Sequence, residues 1–175
     1  MAFDVQYQLE LHTSQYADKL FRLIDKNRDR ISQHFPKTNA KTGSLEETQK
    51  YSNEIEGLSS EKTYFMYLIM NSKSNEPLGF IDIKNIDWEK RKAELGAFID
   101  ADFENFGIMA HFSKVLIRQI VNELGFKALF CRIDPNNTRS IRLAERNGFT
   151  LKSPTNEVRS DNGLTLKHYE REFTT

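Results

Sequence analysis

At 175 residues the chain fits one domain, residues 1–175, large enough to bury a core without disulfide staples, and thirteen Phe and six Tyr supply bulky filling for it. The 25 basic residues balance the 25 acidic ones, which excludes a whole-chain field that would draw nucleic acid or anionic lipid. The single cysteine, Cys131, excludes an internal disulfide and suits a reducing compartment. Met1-Ala2-Phe3-Asp4 has neither the basic start nor the apolar run of a signal peptide, and no apolar stretch nears the ~20 residues of a membrane span. The expectation is a soluble cytoplasmic protein without nucleic-acid or membrane partners.

Val5 to Leu11 alternates as a half-buried strand does. Thr13 or Ser14 can cap a helix running to about Gln33, with Tyr16, Leu20, Leu23, Ile24 and Ile31 on its apolar stripe. Pro36 to Gly43 reads as a loop. Ser44-Leu45-Glu46-Glu47 has the spacing of a capping box, opening a second helix that should end near Gly57. Strands follow at Thr63–Met70, Leu78–Ile86 and Lys92–Ile99, close enough together for an antiparallel meander. Ile108, Phe112, Val115, Leu116, Ile120 and Leu124 share one face of a helix that Gly125 terminates. Lys127–Ile133 reads as a buried strand and Thr138–Asn147 as a short helix before Gly148. A last pair of strands should turn at Asn162-Gly163. The order β-α-α-β-β-β-α-β-α-β-β is that of an α+β domain.

Three places hold candidate chemistry. Asp102 to Ala110 carries the chain from a strand through a Gly-bearing loop into a helix, so that first-turn amides and the helix dipole face outward and suit a pyrophosphate. Taken alone, one Gly ahead of a helix is ordinarily just a turn. Asn137 can be a plain N-cap of the short helix, or present its amide to a ligand amide; Ser140, one turn in, can face solvent, core or ligand. Glu94 lies on the strand face of Gly96 and Phe98, opposite Ala93, Leu95, Ala97 and Ile99, and an acid there can simply be solvated. Gly96 in mid-strand hints at a bulge or a close backbone approach. The four His are scattered without metal-ligand spacing, so no metal is expected. Cys131, in an apolar strand, reads as core filler, and Trp88 sits in a turn, packed on the sheet or exposed for binding.

Lys90-Arg91-Lys92-Ala93-Glu94-Leu95-Gly96-Ala97-Phe98-Ile99, Phe106-Gly107-Ile108-Met109, Asn137-Thr138-Arg139-Ser140 and Arg146-Asn147-Gly148-Phe149 together resemble the GNAT acetyltransferases. Within that superfamily they are most similar to the ribosomal-protein N-terminal (Rim-type) acetyltransferases, as are Leu78-Gly79-Phe80-Ile81 and Asp87. The resemblance implies a mixed, mostly antiparallel sheet flanked by helices, in which the Glu94 strand and the strand after Gly125 splay apart. Acetyl-CoA would be the co-substrate and a primary amine, on a protein N-terminus or a small molecule, the acceptor. The pantetheine arm would bond to the backbone of Phe98, Ile99 and Asp100. The pyrophosphate would rest on the amides of Asn105, Phe106, Gly107, Ile108, Met109 and Ala110. Asn137 and Ser140 match the family's Asn-x-x-Ser beside the amide arm and the thioester. Homodimers are common among such relatives.

The chain departs from the family pattern in three respects. Asn105 stands where a second Gly is common, Phe106 replaces a common basic residue, and Glu104 adds a nearby negative charge, which together predict a weaker cofactor site. Ala144 occupies the position of a frequent Tyr proton donor, so that role is either empty or passes to Ser140. The implied mechanism is direct attack by the amine in a ternary complex, with Glu94 taking the proton directly or through a water.

Overall fold

The structure is a computed structural model that describes residues 6–152, 158–159, 163 and 165–173. It divides into two units. One comprises the chain up to Asp82 together with Ala97–Ile108, and the other Ile83–Gly96 together with the chain from Met109 onward.

In the first unit β1 (Tyr7–Leu11) pairs antiparallel with β2 (Phe65–Asn71), Tyr7 opposite Asn71 and Leu11 opposite Tyr67. The strand order continues through β3 (Pro77–Asp87) to β4 (Lys92–Ile99), both of which pass into the second unit. Between β1 and β2 the single long helix expected to Gln33 is instead two, α1 (Ala17–Lys26) and α2 (Arg28–His34), after a 3-10 turn at Ser14–Tyr16. Asn27 makes the break: its buried side chain donates back to Leu23 O at 3.0 Å, the local backbone bond that makes Asn a poor helix-interior residue. Thr13 makes no cap bond; Glu56 accepts the Ser14 N–H in its place, at 2.9 Å.

The loop expected after Pro36 contains a short helix, α3 (Pro36–Ala40), because Pro at the first helical position needs no N–H and is preset in φ. Ser44 caps α4 (Leu45–Ser60) by accepting the Glu47 N–H at 3.1 Å, and the helix continues past Gly57 to Ser60. Leu20, Leu23, Ile24, Ile31 and Ile55 from these helices close over Met66, Leu68, Met70, Phe80 and Phe98. Gly79 is required there, since a Cβ would stand 2.4 Å from Phe98 O.

α5 spans Ile108–Leu124, as its period predicts, all but its first residue in the second unit, and ends at Gly125 with φ +69°. β5 (Ala128–Ile133), α6 (Thr138–Arg146), β6 (Thr150–Leu151), β7 (Val158–Arg159) and β8 (Thr165–Glu172) follow. The strand order is β3-β4-β5-β8-β6, with β7 also on β8. β4 and β5 are parallel and β5 and β8 antiparallel, which makes the sheet mixed. The expected turn at Asn162-Gly163 lies outside the described residues at Asn162.

His12 follows β1 and is 1% exposed, and neither ring nitrogen has a hydrogen-bond partner among the described residues. Burial lowers its pKa from 6.5 to about 4, against the opposing pull of Glu56. The unfolded chain therefore takes up this proton first as pH falls. The stabilisation from a neutral His12 is complete above about pH 6.5 and is lost towards pH 4, about 3 kcal/mol in all. Urea denaturation across that window should show wild-type stability falling with pH and a His12→Phe variant losing most of that slope; equal slopes would contradict this assignment.

Candidate active site

The parallel ladder between β4 and β5 has three pairs, Lys92 with Ala128, Ala93 with Leu129 and Glu94 with Phe130. The ladder ends there: Leu95 and Gly96 on β4 form no further rung with Cys131 and Arg132 on β5. At this last rung Glu94 is 4% exposed and both of its oxygens are engaged. Oε1 accepts from Arg132 Nε at 3.0 Å, and Oε2 accepts from Arg132 Nη2 and Asn85 Nδ2, each at 2.6 Å. Asn85 reaches it from β3 with φ +49°, a left-handed backbone that Asn tolerates better than most residues. Glu94 is therefore not solvated: three charge-assisted bonds engage it, and the second lone pair of Oε1 is the acceptor site that they leave.

Asn137 caps α6, its Oδ1 accepting the Ser140 N–H at 3.1 Å, which leaves its Nδ2 amide as a donor. Ser140 is half-buried, and its hydroxyl has no hydrogen-bond partner among the described residues. Ala144 is buried in the same helix. Trp88 stacks on Phe126 at 5.2 Å, just ahead of β5. Cys131 is half-buried on β5.

In the first unit the turn after β4 is held by two basic side chains. Lys26 Nζ bonds Asp100 Oδ2 at 2.7 Å and Asp102 Oδ2 at 2.6 Å. Arg30 pairs with Glu104, donates to Ile99 O at 3.1 Å and lies 5.2 Å over the Phe98 ring. The negative charge of Glu104 is thus matched by Arg30. Asn105 and Gly107 both have positive φ, +65° and +80°, on either side of Phe106, which is 66% exposed. Ile108 and Met109 bury their side chains, so what these positions can offer a ligand is backbone N–H at the start of a 17-residue helix.

Strand alternation sorts the expected pantetheine contacts. Asp100 N–H donates to Leu78 O at 2.8 Å, so Asp100, and Phe98 two residues before it, turn their backbone groups towards β3. The groups of Leu95, Ala97 and Ile99 point the other way, and of these Ile99 O is taken by Arg30. Leu95 and Ala97 were not singled out from sequence, nor were Arg132, Asn85 and Arg30. Period two along β5, with Leu129 and Ile133 buried, was the available signal for Arg132. Among the described residues no group of three or more His, Cys, Asp or Glu is placed to hold a metal, and no helix is long and apolar enough to cross a membrane.

Removing one partner of a buried ion pair is far costlier than breaking a surface pair. Glu94→Ala should destabilise the protein by about 3 kcal/mol in urea denaturation. A loss below about 1 kcal/mol, the size of a surface pair, would contradict the clamp.

The described geometry can be set beside known proteins. The sequence profile of the acetyltransferase (GNAT) domain matches residues 8–150. The chain is 29% identical over 155 residues to the ribosomal-protein-serine acetyltransferase of Escherichia coli (strain K12), covering 85% of this chain and 82% of that one. Its fold is similar to that of a ribosomal L7/L12 α-N-protein acetyltransferase in complex with coenzyme A, with TM-score 0.85 at 23% identity over 95% of this chain and 94% of that one. It is equally similar to the microcin C7 self-immunity acetyltransferase in complex with acetyl-CoA and AMP, with TM-score 0.85 at 18% identity over 99% and 96%. The profile match covers most of the sequence, and the chain belongs to the GNAT acetyltransferases, enzymes that transfer an acetyl group from acetyl-CoA to an amine.

Proposed function

We propose that this acetyltransferase acts in the cytoplasm on the α-amine of a protein N-terminus, by direct attack on acetyl-CoA in a ternary complex, and that residues 1–175 work as one domain. The parting of β4 from β5 after Glu94 and Phe130 is the observation that carries the proposal. It leaves a run of strand whose outward backbone can bond an extended amide chain, as a pantetheine arm is. The similarity to the Escherichia coli ribosomal-protein-serine acetyltransferase supports the choice of acceptor.

On this reading Leu95, Ala97 and Ile99 supply the outward backbone groups, while Phe98 and Asp100 secure the strand from its other side. The amides of Asn105 to Ala110 receive the pyrophosphate at the α5 N-terminus, with Arg30 cancelling the charge of Glu104. Asn137 keeps its cap and offers Nδ2 to an amide carbonyl, and Ser140 donates its hydroxyl proton towards the leaving sulfur. Glu94 holds Arg132 and Asn85 in place; a proton-accepting role, direct or through a water, would fall to Oε1, which accepts one bond where Oε2 accepts two. An α-amine has an ordinary pKa of about 7.7–8.0, so a good share is neutral and ready to attack near neutrality. Holding the two substrates together supplies much of the acceleration.

The test is thiol release from acetyl-CoA against a panel of amines that includes N-terminal peptides, polyamines and aminoglycosides. Peptide turnover is expected; turnover confined to small amines would replace the acceptor, and binding without any turnover would make the chain a silent acyl-CoA-binding module. Gly107→Val tests the loop separately. A left-handed β-branched residue is strained by about 1–2 kcal/mol, so acetyl-CoA affinity by calorimetry should fall roughly tenfold. Retained affinity would place the anion site elsewhere.

A further inference from the structure

With both Glu94 oxygens bonded, the attacking amine still has a proton to lose, and the face of the second unit that carries Glu94 holds another group suited to take it. In-register strand neighbours share a face, so the pairing of β4, β5 and β8 lays side chains out in rows. Lys92, Ala128 and Glu172 form one row, and Glu94, Phe130 and Glu170 the next. Arg132 stands opposite His168 in the third. Continuing the β4 register puts Gly96 in that third row, where the strands have already parted and where the absence of a side chain leaves room on the face. The Arg132 guanidinium is drawn diagonally back to Glu94, out of its own row.

His168 is fixed in this row from two sides. Its ring stacks on Phe130 at 4.9 Å with 14° between planes, and Nε2 lies 2.8 Å from Glu170 Oε2. Its side chain is 15% exposed, so the ring is held yet still reaches solvent. Glu170 stays ionised: burial alone would raise its pKa, but hydrogen bonds from Lys92 and His168 and the charges of Lys92 and Lys152 hold it below the usual carboxylate value. An ionised carboxylate only accepts, so Nε2 carries the proton and Nδ1 keeps its lone pair. No described residue bonds Nδ1.

We propose that His168, oriented by Glu170 and facing the gap beside Gly96, is the proton acceptor for the acetyl-receiving amine. The inference rests on the acetyl-transfer reading above and deepens it. The neutral amine attacks the thioester carbonyl and forms the C–N bond. Nδ1 takes one proton from the nitrogen, the C–S bond breaks, and the electron pair leaves on the CoA sulfur, which is protonated to the free thiol. Amide and CoA are the products, with no other reactant consumed. Glu170 is a positioning residue in this scheme. The charged groups around the imidazole are Glu170 and Glu172 on its own strand, Arg132 on β5, Lys92 and Glu94 on β4, and Lys152 beside β6.

The test uses the full chain, acetyl-CoA and a synthetic peptide with a free N-terminal serine, read by thiol release across the neutral pH range. His168→Gln should lower kcat about a hundredfold or more, remove the acidic limb of the kcat profile and leave acetyl-CoA affinity by calorimetry unchanged. Glu170→Gln should lower kcat and leave the KM for the peptide unchanged, because the carboxylate that orients the ring is lost. Added imidazole should restore part of the rate to His168→Ala, which a merely structural loss would not allow. A His168→Gln enzyme that keeps its rate and pH profile would overturn the role of His168 while leaving acetyl transfer intact. Failure of the wild-type protein to bind acetyl-CoA would instead overturn the reading on which it rests.

Discussion

The ion pair between Glu94 and Arg132 closes the last rung of the β4–β5 ladder, and the candidate chemistry of the second unit is arranged around it. Parallel strands gain one rung of hydrogen bonds after another for as long as they stay in register. Here the ladder stops after three pairs, at the point where a buried carboxylate meets a guanidinium that is 28% exposed. Such a pair adds little net stability against a well-packed apolar alternative, since both charges are desolvated, but removing one partner is severe. Its value is geometric. It tethers the Asn85 side chain to β4 and draws Arg132 back from the third row, the row of His168 on the same face.

A comparable arrangement governs the turn that follows β4 in the first unit. Lys26 and Arg30 straddle the break at Asn27, and between them they fix Asp100, Asp102, Glu104 and the Ile99 carbonyl. The helical break is thus useful: it sends two cations from consecutive short helices to one acidic turn. Asn27 Oδ1 also accepts the Ala101 N–H, at 3.4 Å. Glu104, a departure from the family pattern, has its charge matched by Arg30, 74 residues away.

Features set by local chemistry were legible in the sequence. The 3.6-residue period from Ile108 to Leu124, the Ser44 cap, the Asn137 cap and the tolerance of Asn105 for positive φ all appear in the structure. So do the strands of the meander, within a residue or two at their ends. What was not legible depended on distant partners. Glu94 could not be told from a solvated acid until Arg132, 38 residues later, was placed on the neighbouring strand. Asn27 looked like one more polar position on an amphipathic helix, and its bond to Leu23 O is available only where the chain is allowed to break. Pro36 reads as a loop marker in the sequence, yet in the structure it starts a helix. Which backbone groups from Phe98 to Asp100 face outward follows from pairing register, and that register is fixed by tertiary contact.

The central claim is that β4, once parted from β5, lends its outward backbone to acetyl-CoA. Residue-resolved amide hydrogen exchange, with and without saturating acetyl-CoA, tests it most directly. The account predicts that the amides of Leu95, Ala97 and Ile99 exchange markedly more slowly in the complex, while those of Phe98 and Asp100, already turned towards β3, change little. Unaltered exchange at Leu95, Ala97 and Ile99 in a protein saturated with acetyl-CoA would contradict it.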